Sequence, residues 1–278
     1  MSTLYLVATP IGNLEDISQR ALRILAEVSL IAAEDTRHTA KLLQHYDIAT
    51  RCISYHEHNK LVRLEGVLEA LVQGDVALVS DAGTPALNDP GYELVRAAIQ
   101  AGHMVSPIPG ASAPIAALVA SGLPTDAFLY LGYLPRKASE RERLLKQITS
   151  LPYTLIFLEA PHRVLEALEA LQAVLGDRQV AVGRELTKLH EEIFRGSLSE
   201  ARQHFTERPP RGEFTLVLMG CQVNEEKWNT ERLENELQKC LEAGESASKA
   251  AAGLAASSGW TRREIYRLLL KKQGKITD

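Results

Sequence analysis

Six short segments gather the residue types that can do chemistry. They are Thr9-Pro10-Ile11-Gly12-Asn13-Leu14-Glu15-Asp16, Glu34-Asp35-Thr36-Arg37-His38, Ser80-Asp81-Ala82-Gly83-Thr84-Pro85, Pro109-Gly110-Ala111-Ser112-Ala113, Glu159-Ala160-Pro161-His162-Arg163, and the run from Arg184 to Glu192. Small residues and carboxylates dominate them, so the ligand they imply is neutral or cationic rather than phosphate-rich. Missing motifs agree. The first segment lacks G-x-G-x-x-G, no G-x-x-x-x-G-K-[ST] occurs, and neither G-x-S-x-G nor H-E-x-x-H is present. Dinucleotide-dependent dehydrogenase, P-loop, serine-hydrolase and zinc-peptidase chemistries all lose ground.

The elements that must hold these segments are legible from pattern. Over the first 113 residues a short aliphatic run repeatedly precedes a helical stretch, the mark of parallel strands joined by crossover helices. Five strands are predicted at Leu4 to Ala8, Leu30 to Glu34, Arg51 to Tyr55, Val76 to Ser80 and Met104 to Ile108. Four of the six segments then fall just past a strand, where open parallel sheets bind their ligands. Ser18 is placed to cap the first helix, and Gly74 and Gly102 to end the third and fourth.

A stretch of small residues from Pro109 to Pro124 separates a second series of strands: Phe128 to Leu134, Thr154 to Glu159, Gln179 to Glu185, Glu191 to Arg195 and Phe214 to Met219. Its less regular alternation with helices predicts a mixed parallel and antiparallel sheet. Past Gly220 only helical patterns remain, with Leu233, Leu237 and Leu241 on one stripe, Ser246 as a cap, and Thr261 with Glu264 as a capping box. Turn-like breaks near Gly244 and Ser257 divide this tail into three helices of helix-turn-helix-like rhythm. The expected domains are 1–115, mainly parallel α/β; 116–222, mixed α/β; and 223–278, helical.

Composition narrows the class. A chain of 278 residues with 45% hydrophobic and 24% charged residues reads as folded and globular. The net charge of −4 excludes a wholly basic nucleic-acid binder, but residues 1–135 hold 8 Lys/Arg against 14 Asp/Glu, while 136–278 hold 23 against 21. Polyanion contacts, if any, belong to the second half. Cys52, Cys221 and Cys240 form no CxxC pair, which argues against a disulfide framework or cysteine zinc site and suits a reducing cytoplasm. No export signal or membrane-length apolar run is recognisable.

The segments VATPIGNLED, AAEDTR, SDAGTP, PGAS, EAPHR and RELTKLHEE, in this order and spacing, resemble those of the tetrapyrrole methylase family. The resemblance implies two α/β domains of class III methyltransferase type, with S-adenosylmethionine in the cleft between them and no metal. Where the porphyrinoid-modifying branch carries a glycine-rich G-x-G-P-G, this chain has Ala8-Thr9-Pro10-Ile11-Gly12. That departure shifts the expected acceptor from porphyrinoids towards RNA, and the resemblance, which extends to the helical tail, implies methylation of the 2′-hydroxyl of a cytidine in the decoding region of 16S rRNA, within an assembled small subunit. Homodimerisation is expected by analogy only.

By the same resemblance Pro10, Asp81, Ala82, Gly83, Ser112, Ala113, Leu158, Ala160 and Thr215 are expected to line the cofactor. Its sulfonium and ammonium groups suit carboxylates, and its adenine suits an apolar slot. Taken alone, Asp81 would equally suit an ordinary turn, and Ala113 and Thr215 would equally suit a core. Asp35, Arg37, Lys188 and Glu191 are the candidate catalytic residues. A salt-bridged helix start would account for Asp35 and Arg37, and a solvated loop for Lys188 and Glu191. If buried, Lys188 would hold its proton less tightly and could orient or deprotonate the acceptor hydroxyl. Arg136, Lys137, Arg141 and Arg163, with Arg262, Arg263, Arg267 and Lys271 in the last helix, are the candidate RNA contacts. A methyltransferase for a tetrapyrrole or other non-RNA acceptor, and a non-catalytic cofactor-sensing nucleic-acid-binding protein, remain as alternatives.

Overall fold

The computed structural model describes residues 2–222, 228–242, 245–255 and 258–272. They fall in two compact units, Met1–Cys221 and Gln222–Asp278.

The first unit begins with β1 (Thr3–Val7), α1 (Gln19–Glu27), β2 (Leu30–Ala33), α2 (Thr36–His45), β3 (Cys52–Ser54), α3 (Lys60–Gln73), β4 (Val76–Val79), α4 (Tyr92–Gln100) and β5 (Met104–Ile108). These strands form one parallel sheet in the order β3-β2-β4-β1-β5. Successive side chains point to opposite faces. Val7, Ile31, Ala33, Ala77 and Val79 therefore pack against α1 and α2, while Leu4, Leu30, Ala32, Val76 and Leu78 pack against α3 and α4. Burial on both faces explains why the central strands β2 and β4 read as unbroken apolar runs. Ser18 caps α1 by accepting from the Ala21 N–H, and Gly74 closes α3.

One consequence of this winding positions the site. The chain leaves neighbouring strands β1 and β4 towards opposite faces, through α1 and α4, so their outgoing loops diverge and leave a crevice at the carboxyl edge. Reciprocal backbone bonds, Thr9 N to Gly83 O at 2.9 Å and Gly83 N to Thr9 O at 3.0 Å, pin the two loops at its base.

The chain continues through α5 (Ala113–Ser121), β6 (Phe128–Tyr133), α6 (Ala138–Ile148), β7 (Thr154–Glu159), α7 (Val164–Leu175), β8 (Gln179–Arg184), β9 (Glu192–Ser197), α8 (Leu198–Glu207) and β10 (Phe214–Leu218). The sheet order is β6-β7-β10-β8-β9, with β6 and β7 parallel and the remaining pairs antiparallel. One face is covered by α6, α7 and α8. On the other, Ile156, Ala181 and Val217 meet Ala117 and Leu118 of α5 together with Ile11, which the β1 loop contributes. The expected break between residues 115 and 116 thus falls inside α5, a helix that belongs to the second sheet.

The second unit holds α9 (Thr230–Glu242), α10 (Ala247–Ala255) and α11 (Arg262–Lys272) around Leu233, Leu237, Ala250, Ala251, Leu254, Ile265 and Leu269. The predicted Thr261–Glu264 capping box is formed, with bonds of 2.7 and 3.2 Å, and is worth about 1 kcal/mol of helix stability. The predicted break at Gly244 lies outside the described residues, as does Ser257; the rest of the second predicted break, Ser258-Gly259, is a bend with Gly259 at φ +67°.

Candidate active site

Two adjoining cavities open at the carboxyl edge of the first sheet. The first, of about 230 Å³, lies between the strand-end loops of the first sheet and the β7–β10 edge of the second. The second, of about 520 Å³, runs along the β1 loop and α2 as far as Lys188. Ile11, Asp81, Ala82 and Glu213 line both.

Carboxylates interlock on the first-domain wall. Asp81 Oδ1 accepts from the Asp35 N–H at 3.0 Å, and the Asp81 N–H donates to Glu34 Oε2 at 3.2 Å. Burial pushes the Glu34 carboxyl above its ordinary range, with Asp81 and Asp35 adding repulsion. Burial also pushes Asp89 up to about 6, with Glu34 and Asp81 contributing. Gly83 adopts φ +80°, which explains glycine in this turn.

The opposite wall comes from the second sheet. A register shift in β6 between Tyr130 and Tyr133, with Gly132 at φ +62°, explains how two tyrosines three residues apart both reach the first cavity. In an unbulged strand they would face opposite sides. A side chain on Gly132 would also collide with Asn88, so this glycine lets the two domains approach. Glu159, the last residue of β7, lines the same cavity with its side chain fully buried. Its Oε1 accepts from the Ala160 N–H at 3.0 Å and lies 3.5 Å from the Arg163 guanidinium, whereas its buried Oε2 has no partner among the described residues.

Seven of the nine expected cofactor residues, Asp81, Ala82, Gly83, Ser112, Ala113, Leu158 and Thr215, line the first cavity. Pro10 lines the second, and Ala160 lines neither. Of the candidate catalytic residues, Lys188 lines the second cavity, but not as a deprotonated amine. Burial alone would weaken its hold on the proton, yet bonds to Glu185 at 2.8 Å and Glu213 at 3.0 Å outweigh burial and raise its pKa. The two carboxylates thus favour the protonated form of Lys188 and suit it to orienting an acceptor rather than to deprotonating one. Gly12 packs beneath it, where any Cβ would strike the lysine stem.

Asp35 and Arg37 line neither cavity. Asp35 caps α2, and Arg37 folds back onto it at 2.7 Å with its side chain 89% exposed. That pair holds the Asp35 carboxyl well below the usual range. Glu191 accepts from the Thr187 N–H at 2.7 Å, closing the loop that carries Lys188.

Two expected RNA contacts are corrected as well. Arg141, only 9% exposed, bonds Glu166 at 2.6 Å and the Pro135 carbonyl at 3.4 Å. Arg163, 16% exposed, donates to the Leu134 carbonyl at 2.7 Å. Both guanidiniums are spent inside the domain. Arg136 is exposed, and Lys137 is exposed beside Glu140. In α11, Arg262 donates to Ser248 at 2.7 Å while Arg263 and Arg267 are exposed; Lys271 lies in the helix, its side chain outside the described residues.

Sequence reasoning missed Glu34, Asp89, Glu159 and Glu213 as lining residues. Glu34 and Glu159 had a usable signal, since each is the strand-end carboxylate opening one of the six segments. Asp89 had none, since the left-handed turn at Ala86 and Asn88 just before it is a feature of the folded backbone.

The donor set fits S-adenosylmethionine. Glu34, Asp81 and Asp89 suit its sulfonium and ammonium groups, Ile11, Leu158 and Leu186 supply apolar lining, and Glu159 offers a buried acceptor awaiting a donor. No helix among the described residues is long and apolar enough to cross a membrane.

Comparison with known proteins agrees with this geometry. Residues 3–202 match the family model for tetrapyrrole (corrin/porphyrin) methylases. The chain is 49% identical to ribosomal RNA small subunit methyltransferase I of Synechocystis sp., covering 98% of each chain. It is 46% identical to the protein of the same name from Escherichia coli O157:H7, covering 98% of this chain and 96% of that one. Among solved structures, uroporphyrin-III-C-methyltransferase from Thermus thermophilus superposes with TM-score 0.55 at 19% identity, over 78% of this chain and 94% of that one, which speaks to fold alone. With a two-sheet cleft built for a cationic cofactor and a family match spanning both sheets, the chain belongs to the tetrapyrrole methylase family, whose methyl donor is S-adenosylmethionine.

Proposed function

We propose that this protein transfers a methyl group from S-adenosylmethionine to the 2′-hydroxyl of a cytidine in the decoding region of 16S rRNA. The observation that carries the reading is near-full-length agreement, at 46% to 49% identity, with proteins named for methylating small-subunit ribosomal RNA. The cofactor supplies an electrophilic methyl on a sulfonium. The chain's task is then alignment of the acceptor oxygen behind that methyl, a positioning effect that needs no metal.

The division into two adjoining cavities supports this assignment. Asp81 and Ala82 belong to both, so a donor held in the first and a ribose entering the second would meet at their boundary. Lys188 and Glu213 face the entering ribose. Lys188, held protonated, orients the hydroxyl or steadies a neighbouring phosphate. Glu213, which like Asp81 lines both cavities and which also pairs with Lys188, is the proposed acceptor of the hydroxyl proton. Arg136, Lys137, Arg262, Arg263, Arg267 and Lys271 are the proposed phosphate contacts.

The test uses S-adenosylmethionine carrying a labelled methyl group and purified small subunits lacking the modification. The expected product is 2′-O-methylcytidine, recovered in an alkali-resistant dinucleotide from one position of 16S rRNA. Label on a base, on protein, or only on a tetrapyrrole acceptor would overturn the proposal.

A further inference from the structure

The strongest unexplained feature is the unsatisfied oxygen of Glu159. Its side chain is fully buried, Oε1 is already engaged by the Ala160 N–H and Arg163, and Oε2 has no partner among the described residues. A buried acceptor left unpaired costs about 1–3 kcal/mol, so its retention on a cavity wall calls for a donor brought by the ligand.

The surroundings select the kind of donor. The cationic ends of the cofactor have their counterparts on the other wall, where Glu34, Asp81 and Asp89 stand with no cation bonded to any of them among the described residues. Glu159, by contrast, is partly neutralised by the Arg163 guanidinium 3.5 Å away. Beside it Leu158 and Thr215 pair across β7 and β10 and line the cavity, flanked by Leu186. An uncharged planar ring bearing a hydrogen-bond donor fits this wall better than an ammonium group.

We propose that Glu159 Oε2 accepts a hydrogen bond from the exocyclic amine of the cofactor's adenine, making Glu159 the residue by which the cleft selects adenosyl over 6-oxopurine cofactors. The inference rests on the reading of the first cavity as the S-adenosylmethionine site. A carboxylate cannot donate, so a 6-oxo group in place of the amine sets two acceptors against each other and leaves the buried oxygen unpaired.

The test is calorimetric binding of S-adenosylhomocysteine and its deaminated analogue S-inosylhomocysteine to the full chain and to Glu159→Gln, whose side chain is isosteric and can donate to a 6-oxo group. The expected wild-type preference for the adenosyl ligand is roughly tenfold to a hundredfold. Glu159→Gln should reduce that ratio at least tenfold while its thermal midpoint stays within a few degrees of wild type. An unchanged ratio in the variant overturns the proposal, as does a wild-type ratio near one, which requires no variant to fold. If the wild type binds neither ligand, the cofactor reading of the cavity falls with it. If it binds the adenosyl ligand and methylates 16S rRNA while the ratio is unmoved, only the role of Glu159 falls.

Discussion

The two walls of the cleft use charge in opposite ways. On the first-domain wall, Asp81 and Glu34 hold the loops in place through backbone N–H groups, and neither carboxylate forms a salt bridge to a basic side chain among the described residues. On the second-domain side, Lys188 is clasped by Glu185 and Glu213, and Arg163 lies beside Glu159. One wall therefore keeps a net field for a cation, while the other keeps positioned polar groups with most of their charge balanced. Under the proposed function the difference has a simple reading: attraction is needed only on the side that would hold the sulfonium, while the acceptor side, which would meet RNA, needs a cation fixed in place.

The largest effect expected from breaking this contrast is on the first wall. Asp81→Ala removes both a field-bearing carboxylate and the acceptor for the Asp35 N–H, so kcat/KM for methyl transfer should fall on the order of a hundredfold or more. Asp81→Asn, which keeps the acceptor, should recover part of the loss. Full activity in Asp81→Ala, measured with saturating subunits and varied cofactor, would remove this wall from the account.

Next comes Lys188. Lys188→Ala should lower turnover on saturating RNA by roughly tenfold to a hundredfold, and it leaves Glu185 and Glu213 facing each other across the vacated position. Normal turnover would reduce the lysine to a loop brace.

A smaller and more selective effect separates the two basic clusters. Neutralising exposed Arg263 and Arg267 together should weaken RNA binding and lower the slope of log K against log salt by about 2. Arg141→Ala should leave that slope unchanged and instead lower the thermal midpoint, because it removes a buried side chain together with its bonds to Glu166 and the Pro135 carbonyl. A salt slope altered by Arg141 and untouched by the tail would reverse the assignment.

The smallest effect concerns Asp89. Its carboxyl, pushed up to about 6 mainly by burial, holds a proton more tightly folded than unfolded. The associated stability is complete below the ordinary aspartate value and is lost as pH rises through about 6. Asp89→Asn, uncharged throughout, should melt a few degrees above wild type at pH 8 and level with it near pH 4. Parallel melting curves across that range would show that Asp89 carries no such penalty.

Much of this architecture is legible in the residues. All ten strands fall where short aliphatic runs predict them, most plainly β2, β4, β7 and β10, which are largely buried; the ends differ by a residue or two, with Glu34, Tyr55 and Ser80, for example, each one residue beyond its strand. The tail's capping box is a local feature and was equally visible. The site was less so. Which carboxylates face the cleft depends on pairing between distant loops, as between Glu34 and Asp81, and on the bulge at Gly132 that turns Tyr133. Arg141 was misassigned although its position held the clue. It shares the inward stripe of α6 with Leu145 and Ile148, at helical spacing, so counting it with the exposed charges ignored its face. The pairing of Lys188 with two carboxylates, one of them 25 residues away, could not be read from burial alone.

The division of labour between the walls is tested most directly by measuring S-adenosylmethionine affinity, in the absence of RNA, for Asp81→Ala and Lys188→Ala side by side. The account predicts at least a tenfold weakening in the first and a change within about threefold in the second. Equal weakening in both, or a loss confined to Lys188→Ala, would contradict it.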